Sequence, residues 1–396
     1  MQNGIVHKVY IQEREMSGCI NCINSLHCII PPHMLKNMLA HGSEAQKRAA
    51  LASITASAQL RGHRQALMEA MPYLTPAVAA GKHRSVYTAD NGSALPGRLV
   101  RDEGAPPAND PAVNEAYNGA GATYDLYWEV YQRDSLDGRG LRLNSTVHYQ
   151  KDYDNAFWDG QQMVYGDGDR QLFNRFTISI DVIGHELTHG VTQYTSDLNY
   201  SNQSGALNES FSDVFGSLVK QRQHGQTASE ADWLIGEGLF TSSVNGTALR
   251  SMKEPGTAYD DPVLGKDPQP AHMRDYVNTI EDNGGVHINS GIPNHAFYLT
   301  AVAMGGFAWE KAGNIWYVAA RDKFTSNTDF QTAANLTYQA ASELYGQGSH
   351  EQQAVQYGWQ GVGITIGAQS QPQPSGCLTA PAALLRWLLA GKAQAR

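Results

Sequence analysis

The chain is expected to fold as an α+β protein, a β-rich N-terminal lobe followed by an α-helical C-terminal lobe. Two textures and one motif predict this. From Arg84 to about Tyr165, short alternating apolar runs lie between turns rich in Gly, Pro and Asn, the pattern of half-buried strands. From Phe173 onward, apolar residues recur mainly at helical spacing. At the junction stands Ile183-Gly184-His185-Glu186-Leu187-Thr188-His189-Gly190, where Ile180, Val182, Ile183, Leu187 and Val191 make a helix largely apolar around two histidines. Polar side chains carried into the interior that way need partners.

Taken in order, residues 1–28 read as irregular, Pro31-Pro32 punctuates the chain, and a short helix over 34–39 stops at Gly42. Ser43-Glu44-Ala45-Gln46 reads as a capping box that opens a second helix to about Leu60, ended by Gly62. Two small helices bury little core alone, so residues 1–75 read as a leader that packs on the rest of the chain. Runs at 99–101, 141–148, 156–158 and 163–165 read as strands, with a helix near 122–131. Helices are expected near 178–195, 205–222, 230–238, 293–305, 309–323 and 328–345. This divides the body into lobes at 84–205 and 206–367, followed by a linker and basic amphipathic tail over 368–396 whose segment 382–390 reads either as a docking helix or as a frayed tail.

Charge narrows the function class. The net charge of −9 conceals a leader (1–72) at +3, a tail (369–396) at +3 and a body at −15. An acidic body argues against nucleic-acid binding and attracts a basic leader. No apolar run reaches the roughly 18 residues that a membrane span requires. The first residues lack a basic stretch followed by an apolar core, so a cytoplasmic precursor is expected, with secretion by a non-classical route as the alternative. Cys19, Cys22, Cys28 and Cys377 leave the body without cysteine, hence without disulfides. Cys19-x-x-Cys22 lacks the second pair of a zinc ribbon. No feature signals an oligomer, and a monomer is expected.

The central motif carries the chemistry. Positions i and i+4 of a helix share a face, so His185 and His189 can reach one metal ion, and Glu186, about 100° around the helix, can act on a water held there. Imidazole ligands with an open position suit zinc, which acidifies bound water. A third ligand is needed. Glu209 and Asp213 in Asn208-Glu209-Ser210-Phe211-Ser212-Asp213 are also i and i+4, so one can ligate while the other orients a histidine; by spacing alone a third histidine remains the other solution.

These residues, with Asn155-Ala156-Phe157-Trp158, Met163-Val164-Tyr165-Gly166-Asp167-Gly168-Asp169, Ala248-Leu249-Arg250-Ser251-Met252 and Asp282-Asn283-Gly284-Gly285-Val286-His287-Ile288-Asn289, resemble the thermolysin family of zinc metalloendopeptidases in order and spacing over about 84–367. The resemblance implies a two-lobed fold with the zinc helix between the lobes. It implies His185, His189 and Glu209 as zinc ligands, with Asp213 orienting a ligand histidine. Glu186 is implied as the acid–base, and Tyr200 and His287, the latter oriented by Asp282, as the groups that stabilise the oxyanion. Asn155 and Ala156 would align the substrate as an added strand, and Arg250 would hold the carbonyl of the residue after the scissile bond. Phe173, Val182, Ile235 and Leu249 fall where the family forms its S1′ pocket; all are apolar, so cleavage before Leu, Phe or Ile is expected.

Within the family the leader is similar to that of protealysin-like enzymes, which have a short propeptide with a Pro-Pro motif, here Ile29-Ile30-Pro31-Pro32-His33-Met34-Leu35. Residues 1–75 then become an inhibitory propeptide, and the precursor's own propeptide joins protein and peptide substrates as the expected partners. Removal is expected between about Met68 and Arg84. The family's paired calcium site departs from its pattern: Asp181, Asp232 and Glu237 match, but Lys220 and Leu234 replace two carboxylates, so Lys220 is expected to supply the positive charge in place of Ca2+. Two rival readings are a cleft that only binds peptides around structural zinc, and a metalloamidase or exopeptidase. Structural zinc has four protein ligands and no base, and an exopeptidase needs a charged group closing one end of the cleft.

Overall fold

A computed structural model describes residues 27–70 and 80–369, the side chains of His27 and of 59–70 excepted. The tail segment 382–390, Cys19, Cys22 and most of the stretch expected to carry the processing cut lie outside the described residues.

The described part of the leader begins with a two-residue strand, β1 (His27–Cys28), where irregular chain was expected. Helix α1 (Pro32–His41) follows, with proline at its first position, where the missing N–H is harmless. Ser43 and Gln46 then cap α2 (Glu44–Ala70) reciprocally, Ser43 N donating to Gln46 Oε1 at 2.7 Å and Gln46 N to Ser43 Oγ at 3.3 Å. Helix α2 runs past Gly62 instead of ending there. One interior glycine costs about 1 kcal/mol, too little to break a long helix.

The N-terminal lobe contains β2 (Arg84–Thr88), β3 (Arg98–Asp102), α3 (Pro111–Asp125), β4 (Leu143–Val147), β5 (Ala156–Trp158) and β6 (Met163–Tyr165). Its sheet has the order β1-β5-β6-β4-β2-β3, so the leader supplies an edge strand. Helix α3 starts well before the expected 122, capped by the Asp110 side chain on Ala112 N. Gly119 and Gly121 resemble breakers but serve packing: a Cβ on Gly119 would lie 2.5 Å from Ile183 Cδ1, and one on Gly121 would lie 2.3 Å from Arg84 Nη1.

The helix at the junction, α4 (Ile180–Gln193), is buried from Asp181 to Thr192, as expected for a helix that is largely apolar around its histidines. It lies on α5 (Asn202–His224). Gly184 and Gly216 face each other at the contact, and a Cβ on Gly216 would lie 2.3 Å from Asp181 O. Their small size brings the two backbones close enough for side chains of α5 to reach those of α4.

The chain over 230–238, expected as a helix, instead contains β7 (Leu234–Ile235), paired with β8 (Arg250–Ser251). Trp233, Gly236 and Gly238 have φ of 59°, 76° and 83°, incompatible with a right-handed helix. A hairpin, β9 (Asp260–Asp261) and β10 (Gly265–Lys266), leads to α6 (Asp282–Asn289), α7 (Gly291–Met304), α8 (Lys311–Asp322), α9 (Phe330–Tyr345) and α10 (His350–Gly361). Helices α6 and α10 were not anticipated. One buried core joins both lobes and includes Ile29, Ile30, Met34, Leu35 and Met38 of the leader. Each such side chain contributes roughly 1.5–3 kcal/mol to docking by leaving water.

Candidate metal centre and cleft

Helix geometry puts His185 and His189 on one face of α4, and α5 brings Glu209 opposite. The two Nε2 atoms are 3.1 Å apart, and each lies 3.5 Å from a Glu209 oxygen. Ligand atoms around a tetrahedral zinc stand roughly 3.4 Å apart, given bonds of about 2.0–2.2 Å, so this set fits zinc. The outward nitrogens are already engaged: His185 Nδ1 donates to Asp213 Oδ1 at 2.8 Å and His189 Nδ1 to Asn208 Oδ1 at 2.8 Å. That fixes both tautomers with Nε2 directed inward. Glu209 Oε2 is buried and accepts no hydrogen bond, an acceptor suited to a cation. His185, His189 and Glu209 are the metal-binding group found among the described residues.

Asp213 is more than a partner of His185. Arg250 grips it with two bonds, Nε to Oδ2 at 2.9 Å and Nη2 to Oδ1 at 2.8 Å, and Asn294 Nδ2 adds a third at 2.8 Å. Burial alone would raise the Asp213 carboxyl, but Arg250 and His185 outweigh it and hold it well below the usual range. Sequence reading missed Asn208 and Asn294 in these roles: Asn208 stands in the run that carries Glu209 and Asp213 but received no role there, and no motif marks Asn294.

The opposite wall carries Tyr200 and His287. Tyr200 donates to Glu209 and its hydroxyl lies 3.2 Å from His287 Nε2. Asp282 accepts from His287 Nδ1 at 2.7 Å and from His287 N at 2.9 Å. The turn that makes this possible puts Asn283, Gly284 and Gly285 at φ of 52°, 89° and 75°; a Cβ on Gly284 would lie 2.4 Å from Asn202 Oδ1. Burial opposes a charge on His287, but Asp282 and Glu209 lift its pKa to about 9. A metal on Glu209 would cancel part of that lift. Glu186 is buried on α4, and its Oε2 accepts from Trp158 N at 3.0 Å.

The leader fills the cleft. β1 pairs antiparallel with β5, His27 opposite Trp158 and Cys28 opposite Phe157. The pairing continues past the strand: Ile29 N donates to Ala156 O at 3.2 Å and Ile30 N to Asn155 Oδ1 at 3.1 Å. Arg250 Nη1 donates to Ile29 O at 3.2 Å, and His287 Nε2 lies 3.0 Å from Cys28 O. Phe173, Val182, Ile235 and Leu249 are fully buried in the core that also holds Ile29. Further along, His33 Nε2 meets Tyr259 Oη at 2.8 Å and Asn37 Nδ2 donates to Leu264 O at 2.8 Å.

At the N-terminal end of α4, Lys220 Nζ lies 2.7 Å from Asp232, 3.1 Å from Glu237 and 3.6 Å from Asp181. Burial opposes the ammonium charge, but the three carboxylates tip its pKa upward.

Two family models match the chain. The thermolysin metallopeptidase catalytic domain covers residues 77–193 and the thermolysin metallopeptidase alpha-helical domain covers 196–364. An extracellular metalloprotease of Pectobacterium carotovorum subsp. carotovorum is 51% identical over 85% of this chain and 96% of its own length. Protease PrtS of a Photorhabdus species is 48% identical over 87% and 93%. Among solved structures, the precursor of protealysin, a metalloproteinase from Serratia proteamaculans, matches with a TM-score of 0.78 and 52% identity, covering 86% of this chain and all of that one.

Proposed function

Because the chain belongs to the thermolysin family of zinc metalloendopeptidases, we propose that it is a latent precursor whose leader, residues 1–75, blocks the cleft it will later use. We propose further that it cuts before bulky apolar residues. The observation that supports both is the leader's register: a segment paired along β5 with an isoleucine seated just after the carbonyl that faces His287.

Zinc, held by His185, His189 and Glu209, would supply Lewis acidity and a water acidic enough to attack at neutral pH. The chain's own residues do the rest. Trp158 N orients the Glu186 carboxylate, which takes the water's proton and passes it to the leaving amine. Tyr200 and His287 donate to the oxygen on which charge develops, and Asp282 keeps His287 oriented for that task. Arg250 serves two functions: it neutralises Asp213 and holds the substrate carbonyl after the scissile bond. Asn155 and Ala156 receive the substrate's amides. The Lys220 ammonium takes the place of calcium at the α4 terminus. No helix among the described residues is long and apolar enough to cross a membrane. The extracellular destination in the name of the Pectobacterium relative extends, in this reading, to the mature monomer.

The test is a brief trypsin treatment that severs the leader, followed by incubation with casein. The treated chain should release peptides with Leu, Ile or Phe at their N-termini, and a zinc chelator should stop it. Peptides with mainly charged N-termini would overturn the specificity, and no release at all would overturn the endopeptidase.

A further inference from the structure

We propose that the Cys28–Ile29 peptide bond is a self-cleavage site, and that this first cut leaves the remaining leader seated in the cleft as a tethered product. The proposal rests on the endopeptidase reading above. Two ways for a segment to block a protease without being cut are to lie backwards and to keep its carbonyl away from the oxyanion donors. This leader does neither. Arg250 holds the carbonyl of Ile29, which marks Ile29 as the residue after a scissile bond. His287 lies on the carbonyl of Cys28, which marks Cys28 as the residue before it. The two groups come from different elements, β8 and α6, and they designate the same bond. The Ile29 amide on Ala156 O and the Ile30 amide on Asn155 Oδ1 fix the direction, and a slip of one residue would invert every side chain of the strand. Trp158 N holds the Glu186 carboxylate at 3.0 Å, and Trp158 is the residue paired with His27, one position before Cys28.

Hydrolysis here balances with water alone. The water oxygen bonds to the Cys28 carbonyl carbon and the C–N bond to Ile29 breaks. Both of the water's protons end on the Ile29 nitrogen, the first carried there by Glu186, leaving a carboxylate on Cys28 and an ammonium on Ile29.

The two halves then differ in what retains them. The new C-terminal end keeps the His27 and Cys28 backbone pairing and the buried Cys28 side chain. The new N-terminal end keeps Ile29, Ile30, Met34, Leu35 and Met38 in the core, His33 on Tyr259, Asn37 on Leu264 O and Ser53 Oγ on Asp154 N at 3.0 Å. It is also still joined by the chain to the catalytic body, so its effective concentration in the cleft is far above that of a free peptide. The nicked protein therefore stays latent until a second cut nearer residue 75.

The experiment follows the full zinc-loaded chain by intact mass and N-terminal sequencing at two concentrations tenfold apart, beside its Glu186→Ala and Ile29→Asp variants. A sample of each is also treated with trypsin and tested on casein. The wild type should acquire Ile29 as its first new N-terminus, at a rate independent of concentration, while casein added without trypsin is untouched. Glu186→Ala should keep residues 1–28, and Ile29→Asp should be cut at this bond at least about tenfold more slowly. Trypsin-treated wild type that digests casein while Cys28–Ile29 survives in the untreated chain overturns this proposal alone. A rate that rises with concentration overturns it too, since the docked bond is then not the one attacked. Failure on casein after trypsin removes the endopeptidase reading, and this proposal with it.

Discussion

Helices α4 and α5 enclose two buried groups of charge that differ in where the positive charge comes from. In the middle of the contact, His185, His189 and Glu209 converge with their donor atoms aimed at one point, and the cation they fit must come from outside. At the end of the same contact, Asp181 is equally buried, but Lys220 brings an ammonium to it on the chain itself. A cation in the first place can be exchanged or removed and can hold a reacting oxygen. A cation tethered in the second can only neutralise. The first arrangement suits chemistry, the second stability, although both lie on one pair of helices brought together by Gly184 and Gly216.

The largest expected effect comes from breaking the first group. Glu209→Gln removes the anionic ligand, and the lost metal was worth several kcal/mol of transition-state stabilisation, on the order of a thousandfold in kcat/KM. Measured on trypsin-activated protein, activity and bound zinc should fall together, while the melting temperatures of the metal-free wild type and variant stay within a few degrees. A variant that keeps its zinc would assign the third ligand to another group.

Lys220→Met should do the opposite. It leaves Asp181 buried without its counter-charge, at a cost of roughly 3 kcal/mol after discounting the more exposed Asp232 and Glu237. That lowers the melting temperature by roughly 6–12 °C while zinc stays bound. Calcium added to the wild type should leave the melting temperature unchanged, because the ammonium already occupies the charge site. A rise of several degrees with micromolar calcium would show that Lys220 has not replaced the ion.

Both groups were legible in the sequence, for a local reason. His185 with His189 and Glu209 with Asp213 are helical neighbours, so spacing alone places each pair on a face, and Lys220 stood at a position where the resembled family has a carboxylate. What spacing does not reach is contact between distant segments. The grip of Arg250 on Asp213 joins β8 to α5, and the Ile29 amide reaches Ala156 across most of the N-terminal lobe. Strand β1 is only two residues long, too short to show alternation. Around 230–238, Trp233, Leu234 and Ile235 form an apolar run that fits a helix or a strand equally well, and the positive φ of Trp233 decided against the helix. In α3 the error ran the other way: a helix expected only near 122–131 starts at Pro111 and runs through Gly119 and Gly121, whose small size serves close contacts with Ile183 and Arg84.

The smallest effect belongs to a third, part-buried group, which has neither a metal nor a counter-ion of its own. His33 of the leader touches Tyr259 through Nε2, and its buried Nδ1 has no hydrogen-bond partner. Burial lowers its pKa to about 4; Asp282 pulls the other way, and His287, Arg250 and Lys36 add to the lowering. The docked value is below the ordinary 6.5, so His33 supports docking fully above pH 6.5, and that support drains away as the pH falls toward 4. Docking should weaken by at most about tenfold per pH unit over that window. The measurement is hydrogen exchange at the Ile29 and Ile30 amides of the Glu186→Ala chain, in which the leader stays whole, corrected for the intrinsic pH dependence of exchange. His33→Gln cannot take up a proton and should flatten the profile between pH 6.5 and 4. Parallel profiles for the two proteins would mean that the leader is held without regard to the charge on His33, and that the acid sensitivity of docking lies elsewhere.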